Sequence, residues 1–329
     1  MNFKVLVTRK LPEEGLARLK EYCKVYMHTA DSPITQEELL EFAPVLDAIM
    51  AVRTKINAEF IEKAKKLKII SNYGVGYDNI DVEAANKKGI PVTNLPYLVT
   101  ESTAELTMSL MLAVSRRIVE ADNYVRNAND GNWYPMLMMG HELYNKKLGI
   151  IGFGRIGQAV AKRAWGFGID LYYYDMKKSY YDRLGIGVKY LPFEKLIKQM
   201  DYITLHVPYL KETRHLITEK EFKNMKKSAY LINASRGPVV DQQALIEALK
   251  DKIIAGAALD VFETEPQVPD ELCKLKNVVL TPHIGTSTVE TRIRMAAQAS
   301  EKIIQIIKGK APENIINKEQ LKRRKNNNY

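Results

Sequence analysis

The chain has 329 residues, more than one ordinary hydrophobic core accommodates, so its length predicts two domains. Lys and Arg number 49 against 39 Asp and Glu, a net charge of +10, but the basic residues are scattered apart from one run at 322–325, which argues against nucleic-acid binding. The cysteines and histidines lack metal-ligand spacing, and no apolar run reaches the roughly 20 residues of a membrane span. We expect a cytoplasmic protein with no metal, membrane or nucleic-acid partner.

Short apolar strands alternate with helical stretches in the first hundred residues. Alternation of this kind is typical of a parallel sheet with helices on both faces. One helix is sharply bounded, because Asp81 can cap its start and Gly89 can end it. The strands are predicted at residues 5–7, 48–52 and 67–71, and the helices at 35–41, 58–66 and 82–88.

A single long helix, rich in Leu, Met and Ala, is predicted over about residues 101–126 as a connector between the domains. A second α/β series follows it, and its six strands match a doubly wound dinucleotide-binding fold. A final helix at about 289–308 would return the chain to the first domain. The six strands are predicted at residues 148–152, 170–174, 202–206, 229–233, 254–259 and 278–280.

The predicted fold is therefore α/β, with two doubly wound parallel-sheet domains. One domain is discontinuous, because the final helix rejoins the N-terminal strands. The boundaries are residues 1–100 with 289–329 for the first domain and 101–288 for the second.

A glycine-rich motif follows the first strand of the second series. Gly152, Gly154 and Gly157 stand in a Gly-x-Gly-x-x-Gly pattern between an apolar strand and a helical pattern. In such motifs the first glycine permits a tight turn, the second lets the backbone approach a pyrophosphate, and the third lets the helix pack on the sheet. The pyrophosphate would lie at the helix N-terminus, beside Arg155 and Ile156. The alternative is a plain glycine turn without a ligand.

Asp175 ends the next predicted strand, 18 residues after Gly157. This is close to the spacing of the acidic residue that binds the adenosine ribose in dinucleotide-binding domains. A carboxylate there also repels a 2′-phosphate, so NAD is favoured over NADP. Lys177 and Lys178 follow directly and could weaken that preference.

Three polar residues follow the ends of later strands, where loops of this fold hold ligands. Arg236, Glu265 and His283 are these residues. Hydride transfer from a dinucleotide to a carbonyl group creates an alkoxide, so a positioned acid is needed, and histidine titrates in the useful range. A carboxylate beside the imidazole fixes its tautomer and favours its protonated form. An arginine binds a substrate carboxylate with two parallel donors.

On these motifs the chain resembles the D-isomer-specific 2-hydroxyacid dehydrogenases, over nearly its whole length. The resemblance runs from residues 72–78 (NYGVGYD) to 281–283 (TPH). It implies a Rossmann coenzyme domain, a flavodoxin-like substrate domain and a homodimer. It also implies that Arg236, Glu265 and His283 are catalytic, with His283 as the acid/base.

The same resemblance implies further binding residues. Asp260 would face the nicotinamide carboxamide, and the backbone amides of Val75 and Gly76 would bind the substrate carboxylate, together with Arg236. Two glycines after a strand allow consecutive N–H groups to converge on an anion, which supports that loop. The remaining predicted cofactor-lining residues are Val207, Pro208, Thr213, Ala234 and Ser235.

The segment at 131–143 most resembles glyoxylate, hydroxypyruvate and 2-ketogluconate reductases. We therefore expect an NAD-dependent reduction of a small 2-oxo acid, of the glyoxylate or hydroxypyruvate type, to the D-2-hydroxy acid. The alternative enzymes are a D-lactate, 3-phosphoglycerate or phosphite dehydrogenase. A different class of alternative is a dehydrogenase-like corepressor that binds NAD without turnover.

Overall fold

The computed structural model describes residues 3–127, 133–176 and 185–321. Its chain divides into two units, Met1–Val99 with Thr286–Tyr329, and Thr100–Gly285. The basic run at 322–325, Lys177, Lys178 and the start of the 131–143 segment lie outside the described residues.

The first unit contains a five-stranded parallel sheet in the order β2-β1-β3-β4-β5. This order is the flavodoxin-like arrangement of a doubly wound sheet, as predicted. The central strand β3 is buried along its whole length, which explains its continuous apolar sequence. The strands are β1 (Lys4–Val7), β2 (Lys24–Met27), β3 (Ala48–Ala51), β4 (Ile69–Asn72) and β5 (Val92–Thr93).

Helices cover this sheet, and their ends follow local capping chemistry. Asp81 accepts a hydrogen bond from the N–H of Ala84 at the start of α4, and Gly89 ends that helix with a φ of +74°, which confirms both predicted ends. The helix α12 (Val289–Ile307) packs on α1, because Gly15 has no side chain to meet Ala296. The helices of this unit are α1 (Glu13–Lys20), α2 (Gln36–Phe42), α3 (Ala58–Lys63), α4 (Val82–Lys88) and α12 (Val289–Ile307).

The second unit contains a seven-stranded parallel sheet in the order β12-β11-β10-β9-β6-β7-β8. Strands β6 and β9 lie side by side at its centre, and the chain runs outward from them in opposite directions. This is the dinucleotide-binding order, and its ligand crevice lies beyond the carboxyl ends of those two strands. The strands are β6 (Lys147–Ile151), β7 (Asp170–Tyr174), β8 (Lys189–Tyr190), β9 (Tyr202–Leu205), β10 (Tyr230–Asn233), β11 (Gly256–Leu259) and β12 (Val278–Leu280).

The prediction of one long helix over 101–126 is wrong, because the chain breaks after Ser115. Arg117 has a φ of +54°, and the Ser115 carbonyl accepts a hydrogen bond from the N–H of His141 at 2.8 Å. Gly140 lies so close to that carbonyl that a Cβ would overlap it. The helix is also more than a connector, because Met108 and its buried neighbours form part of the core of this unit. The helices are α5 (Thr100–Ser115), α6 (Ile118–Asn127), α7 (Arg155–Trp165), α8 (Phe193–Gln199), α9 (Glu219–Asn224), α10 (Gln242–Lys250) and α11 (Asp270–Cys273).

Within the three described ranges, none of the helices combines the length and apolar character that crossing a bilayer requires. The same ranges hold no cluster of three or more His, Cys, Asp or Glu side chains arranged to bind a metal ion.

Candidate active site

The glycine motif forms the turn from β6 into α7, and its three glycines differ in the space that surrounds them. Gly152 has a φ of +89°, and a Cβ there would lie 2.7 Å from the backbone carbonyl of His206. Gly157 touches the backbone of Gly152, so a side chain would separate the helix from the turn. At Gly154 a Cβ would meet no protein atom within 4 Å among the described residues. Two of the glycines are thus required by the fold, and the third is not.

This turn is suited to a dinucleotide pyrophosphate. Gly154 is the N-cap of α7 and provides no side-chain cap, so the helix amides are not covered by its own side chain. The open space at Gly154 allows an anion to approach the backbone closely, and the helix N-terminus favours negative charge. Arg155 is the first helical residue and is exposed, while Ile156 beside it is half-buried.

Asp175 lies at the carboxyl end of β7, beside the glycine turn. Its Oδ2 accepts a hydrogen bond from the N–H of Phe153 at 2.8 Å. This bond fixes the carboxylate beside the glycine turn, where the predicted role of Asp175 is to accept hydrogen bonds from an adenosine ribose.

The segment after β9 forms a compact loop around Thr213. The Thr213 hydroxyl donates to the Pro208 carbonyl at 2.7 Å and accepts from the N–H of Leu210 at 2.8 Å. Thr213 is 6% exposed, so it shapes the loop, while Val207 and Pro208 present surface. Burial lowers the pKa of His206 to about 3, so its imidazole is neutral near pH 7 and is not a proton donor.

The loop after β10 carries Arg236, and Asn233 determines its shape. The buried Asn233 side chain donates to the Arg236 carbonyl at 3.0 Å and accepts from both the N–H and the hydroxyl of Ser235. The Arg236 guanidinium donates to the Ser235 carbonyl at 2.8 Å. Ala234 is half-buried and Ser235 is buried, so this loop is a rigid base for the arginine.

Asp260 ends β11 and holds the loop that follows β12. Its carboxylate is 1% exposed and accepts hydrogen bonds from the Thr281 hydroxyl at 2.6 Å, the Ile284 N–H at 2.7 Å and the Gly285 N–H at 2.9 Å. A carboxylate has about four acceptor positions, so these bonds leave room for one more donor. The role of Asp260 toward a nicotinamide carboxamide stays a prediction.

His283 lies in the loop that Asp260 holds, and it contacts Glu265. Its Nδ1 is 2.9 Å from Glu265 Oε2 and 3.2 Å from Oε1. The His283 backbone has a φ of +57°, an unusual conformation that turns the ring toward the carboxylate. The Glu265 Oε1 also accepts from the N–H of Phe262 at 3.2 Å. The structure therefore brings together the predicted acid/base and its carboxylate.

The loop at Gly74 lies in the first unit, after β4, and its carbonyls are held inward. The Gly74 carbonyl accepts from the N–H of Leu95 at 2.9 Å, and the Val75 carbonyl accepts from the Asn94 amide at 2.8 Å. A trans peptide points its C=O and N–H in opposite directions. The N–H groups of Val75 and Gly76 therefore face away from the groups that hold these carbonyls, which supports the predicted anion-binding loop.

Sequence reasoning missed the residues that position these loops. Asn94 orients the Val75 peptide, Asn233 orients Arg236, and Thr281 joins the His283 loop to Asp260. A buried Asn or Thr at the end of a strand is the signal that could have pointed to them, because such side chains commonly bond to nearby backbone.

The glycine turn yields a test that separates fold from ligand binding. Gly154→Ala should leave the Tm unchanged but weaken NADH binding at least about 10-fold, because its Cβ occupies only the space of the ligand. Gly157→Ala should lower the Tm. Gly166→Ala, at the other end of α7, is the control and should change neither quantity. NADH fluorescence titration measures the affinity, and thermal melting measures the Tm. An NADH affinity of Gly154→Ala equal to that of the wild type would contradict the assignment of this turn as the pyrophosphate site.

Comparison with known proteins agrees with this geometry. Residues 108–285 match the family described as "D-isomer specific 2-hydroxyacid dehydrogenase, NAD binding domain". The chain is 49% identical over 326 residues to a glyoxylate reductase of Thermococcus litoralis, and the match covers 98% of each chain. The crystal structure of the TT0316 protein from Thermus thermophilus has a TM-score of 0.90 at 40% identity, covering 95% of this chain and 99% of that one.

A further similar structure is an NADPH-dependent glyoxylate/hydroxypyruvate reductase from Sinorhizobium meliloti, solved with NADP and malonate. Its TM-score is 0.80 at 29% identity, and the match covers 93% of each chain. The second unit of the present chain is thus an NAD(P)-binding domain. The chain belongs to the D-isomer-specific 2-hydroxyacid dehydrogenase family, in the branch of the glyoxylate reductases, and is an oxidoreductase acting on CH–OH donors.

Proposed function

We propose that this protein reduces a small 2-oxo acid, of the glyoxylate or hydroxypyruvate type, to the 2-hydroxy acid, with His283 as the acid/base. The observation that carries the proposal is the contact between His283 Nδ1 and Glu265 Oε2 at 2.9 Å. The identity of 49% to a glyoxylate reductase supports the choice of substrate.

The His283–Glu265 contact determines which nitrogen exchanges a proton. An ionised carboxylate only accepts hydrogen bonds, so Nδ1 of His283 carries a hydrogen and Nε2 faces the chemistry. A reduced nicotinamide, when bound, would supply the hydride for this reduction. His283 would give the proton from Nε2 to the substrate oxygen, on which negative charge develops as the carbonyl is reduced. Glu265 stabilises the protonated imidazole before transfer.

Arg236 is proposed to bind the substrate carboxylate. Its carbonyl is held by the Asn233 amide, and its Nη1 donates to the Ser235 carbonyl, so both the backbone and the guanidinium of Arg236 are positioned within this loop. A bidentate arginine–carboxylate pair fixes both position and orientation of a 2-oxo acid. The amides of Val75 and Gly76 are proposed as a second group of carboxylate donors, because Asn94 and Leu95 hold the carbonyls of that loop.

The two units receive different proposed roles. We propose that the first unit is the substrate-binding domain predicted as residues 1–100 with 289–329, and the second the coenzyme domain predicted as 101–288. Several large apolar side chains of α6 and of the segment that follows it are exposed, which supports a homodimer built on the second unit, since exposed apolar surface often lies at interfaces. They include Val119, Val125, Trp133, Tyr134, Met136 and Met139. A solution mass of twice 37.5 kDa would agree with this.

The preferred cofactor is proposed to be NADH. Asp175 lies beside the glycine turn, where its negative charge favours ribose hydroxyls and repels a 2′-phosphate. A similar reductase from Sinorhizobium meliloti is NADPH-dependent, so membership of the family does not by itself determine the preference.

The substrate proposal predicts the outcome of a steady-state panel. With NADH, glyoxylate and hydroxypyruvate should have a higher kcat/KM than pyruvate or 3-phosphohydroxypyruvate, and with NAD⁺ phosphite should not be oxidised. His283→Asn keeps a residue that adopts positive φ but lacks the acid, so kcat should fall about 10²–10⁴-fold with NADH binding retained. His141→Asn, at an exposed histidine, is the control.

Several results would contradict this proposal. A preference for the phosphorylated substrate would overturn the substrate class, and turnover of His283→Asn near the wild-type level would remove His283 from the chemistry. NADH binding with no turnover of any compound would favour the corepressor alternative.

The cofactor proposal predicts a higher kcat/KM for NADH than for NADPH. Asp175→Ser should narrow or reverse this ratio, because the like-charge repulsion of a 2′-phosphate is removed. Asp170→Ser is a matched control, since Asp170 is an exposed aspartate at the opposite end of the same strand. Preference of the wild-type enzyme for NADPH would show that Asp175 does not set the choice.

A further inference from the structure

A second histidine–carboxylate pair lies in the coenzyme unit, beside the catalytic loops. The Nε2 of His215 is 2.7 Å from Oε1 of Glu263, and Glu263 precedes the catalytic Glu265 by two residues. The two side chains are 32% and 28% exposed, so water only partly screens their interaction. Neither residue belongs to the site proposed above.

The backbone of His215 is attached to the loop that follows Arg236. Its N–H donates to the Pro238 carbonyl at 2.8 Å, and the N–H of Ile217 donates to the Val239 carbonyl at 3.2 Å. The His215 side chain therefore reaches the segment of Glu265, while its main chain is bonded to the segment of Arg236. One residue thus connects two loops that carry proposed catalytic groups.

These two loops also contact each other directly, and Glu263 is held at several points. A Cβ on Gly237 would overlap the backbone of Phe262, so the loops touch at their main chains. The N–H of Glu263 donates to Gln242 Oε1 at 3.1 Å, and its Oε2 accepts from the N–H of Gln242 at 3.4 Å. With His215 added, both the backbone and the carboxylate of Glu263 are fixed, which limits how far Glu265 can move.

The conformation of His215 indicates that its side chain matters. Its φ is +49°, in the left-handed region that glycine adopts without strain. A histidine there bears a steric cost that a glycine would avoid, so the imidazole has to contribute something that offsets it. The contribution visible in the structure is the short bond to Glu263.

We propose that His215 is a positioning residue that, through Glu263, holds Glu265 in contact with His283. This inference rests on the proposed function of Glu265 and His283. An ionised Glu263 only accepts hydrogen bonds, so Nε2 of His215 carries the hydrogen, and the contact works with either a neutral or a charged imidazole.

A double-mutant cycle on kcat for glyoxylate at saturating NADH tests this proposal. His215→Asn keeps a residue that adopts positive φ, but its amide ends short of the Nε2 position, so kcat should fall about 10- to 100-fold. His215→Gln, whose amide reaches farther, should restore most of the activity. In a Glu265→Gln background, His215→Asn should change kcat less than about 2-fold, because the group it positions is already altered.

Two further variants keep the test decisive. Glu263→Ala breaks the same pair from the other side and replaces His215→Asn if that variant does not fold, as judged from its Tm. His28→Asn is the matched control, because His28 also has one partner at Nε2, the Ser32 carbonyl, but lies in the first unit. In each background, His28→Asn should change kcat by less than about 2-fold relative to the parent protein.

The outcomes separate this proposal from the proposed function. If His215→Asn lowers kcat equally with and without Glu265→Gln, or not at all, the positioning role is wrong while the function stands. If Glu265→Gln itself leaves kcat unchanged, Glu265 takes no part in the chemistry and the positioning role fails with it, whereas a wild-type protein that reduces no 2-oxo acid would overturn the proposed function.

Discussion

The loops at the carboxyl edge of the second sheet, where the proposed catalytic residues lie, depend on one buried carboxylate. Asp260 is 1% exposed, and a buried charge is stable only when hydrogen bonds replace its water. All three donors shown for it come from the loop after β12, namely Thr281, Ile284 and Gly285. The loop must therefore close over Asp260, and that closure holds His283 at the φ of +57° from which its ring meets Glu265.

Strand order explains why chemistry from distant parts of the sequence meets at one edge. Strands β10, β11 and β12 are neighbours, and the loops at their carboxyl ends carry Arg236, Glu265 and His283. Strands β6, β7 and β9 adjoin them and carry the glycine turn, Asp175 and the loop around Thr213. A parallel sheet thus places the proposed hydride donor and the proposed proton donor on the same side of the protein.

Local sequence signals predicted much of this fold. The helix between Asp81 and Gly89 has its own cap at each end, and strand β7 is a short run bounded by polar residues. The edge strands β2, β5 and β8 were missed. Strands β2 and β8 are short and largely half-exposed, so their patterns resemble loops, and β5 has only two residues. The break after Ser115 was missed because it depends on Gly140, which is distant in the sequence.

In the candidate site, too, local motifs were predictable from sequence, whereas contacts between distant residues were not. Gly152, Gly157 and Asp175 stand in a motif whose spacing carries its geometry, so sequence alone placed them correctly beside one another. The contact of His215 with Glu263 joins residues 48 apart, and no local pattern predicts it. Supporting hydrogen bonds of this kind can be identified only once the fold is known, because in the sequence each partner looks like an ordinary loop residue.

The pairing of Glu265 with His283 is most directly tested by the NMR titration of the imidazole protons in wild type and Glu265→Gln. The chain has five histidines, so His283→Asn assigns its signal without ambiguity. A carboxylate at 2.9 Å favours the imidazolium, so Glu265→Gln should move the midpoint of the His283 titration to lower pH. Glyoxylate reduction needs protonated His283. As pH rises, the rate of Glu265→Gln should therefore decline at a lower pH than the rate of the wild type. An identical midpoint in the two proteins would contradict the pairing.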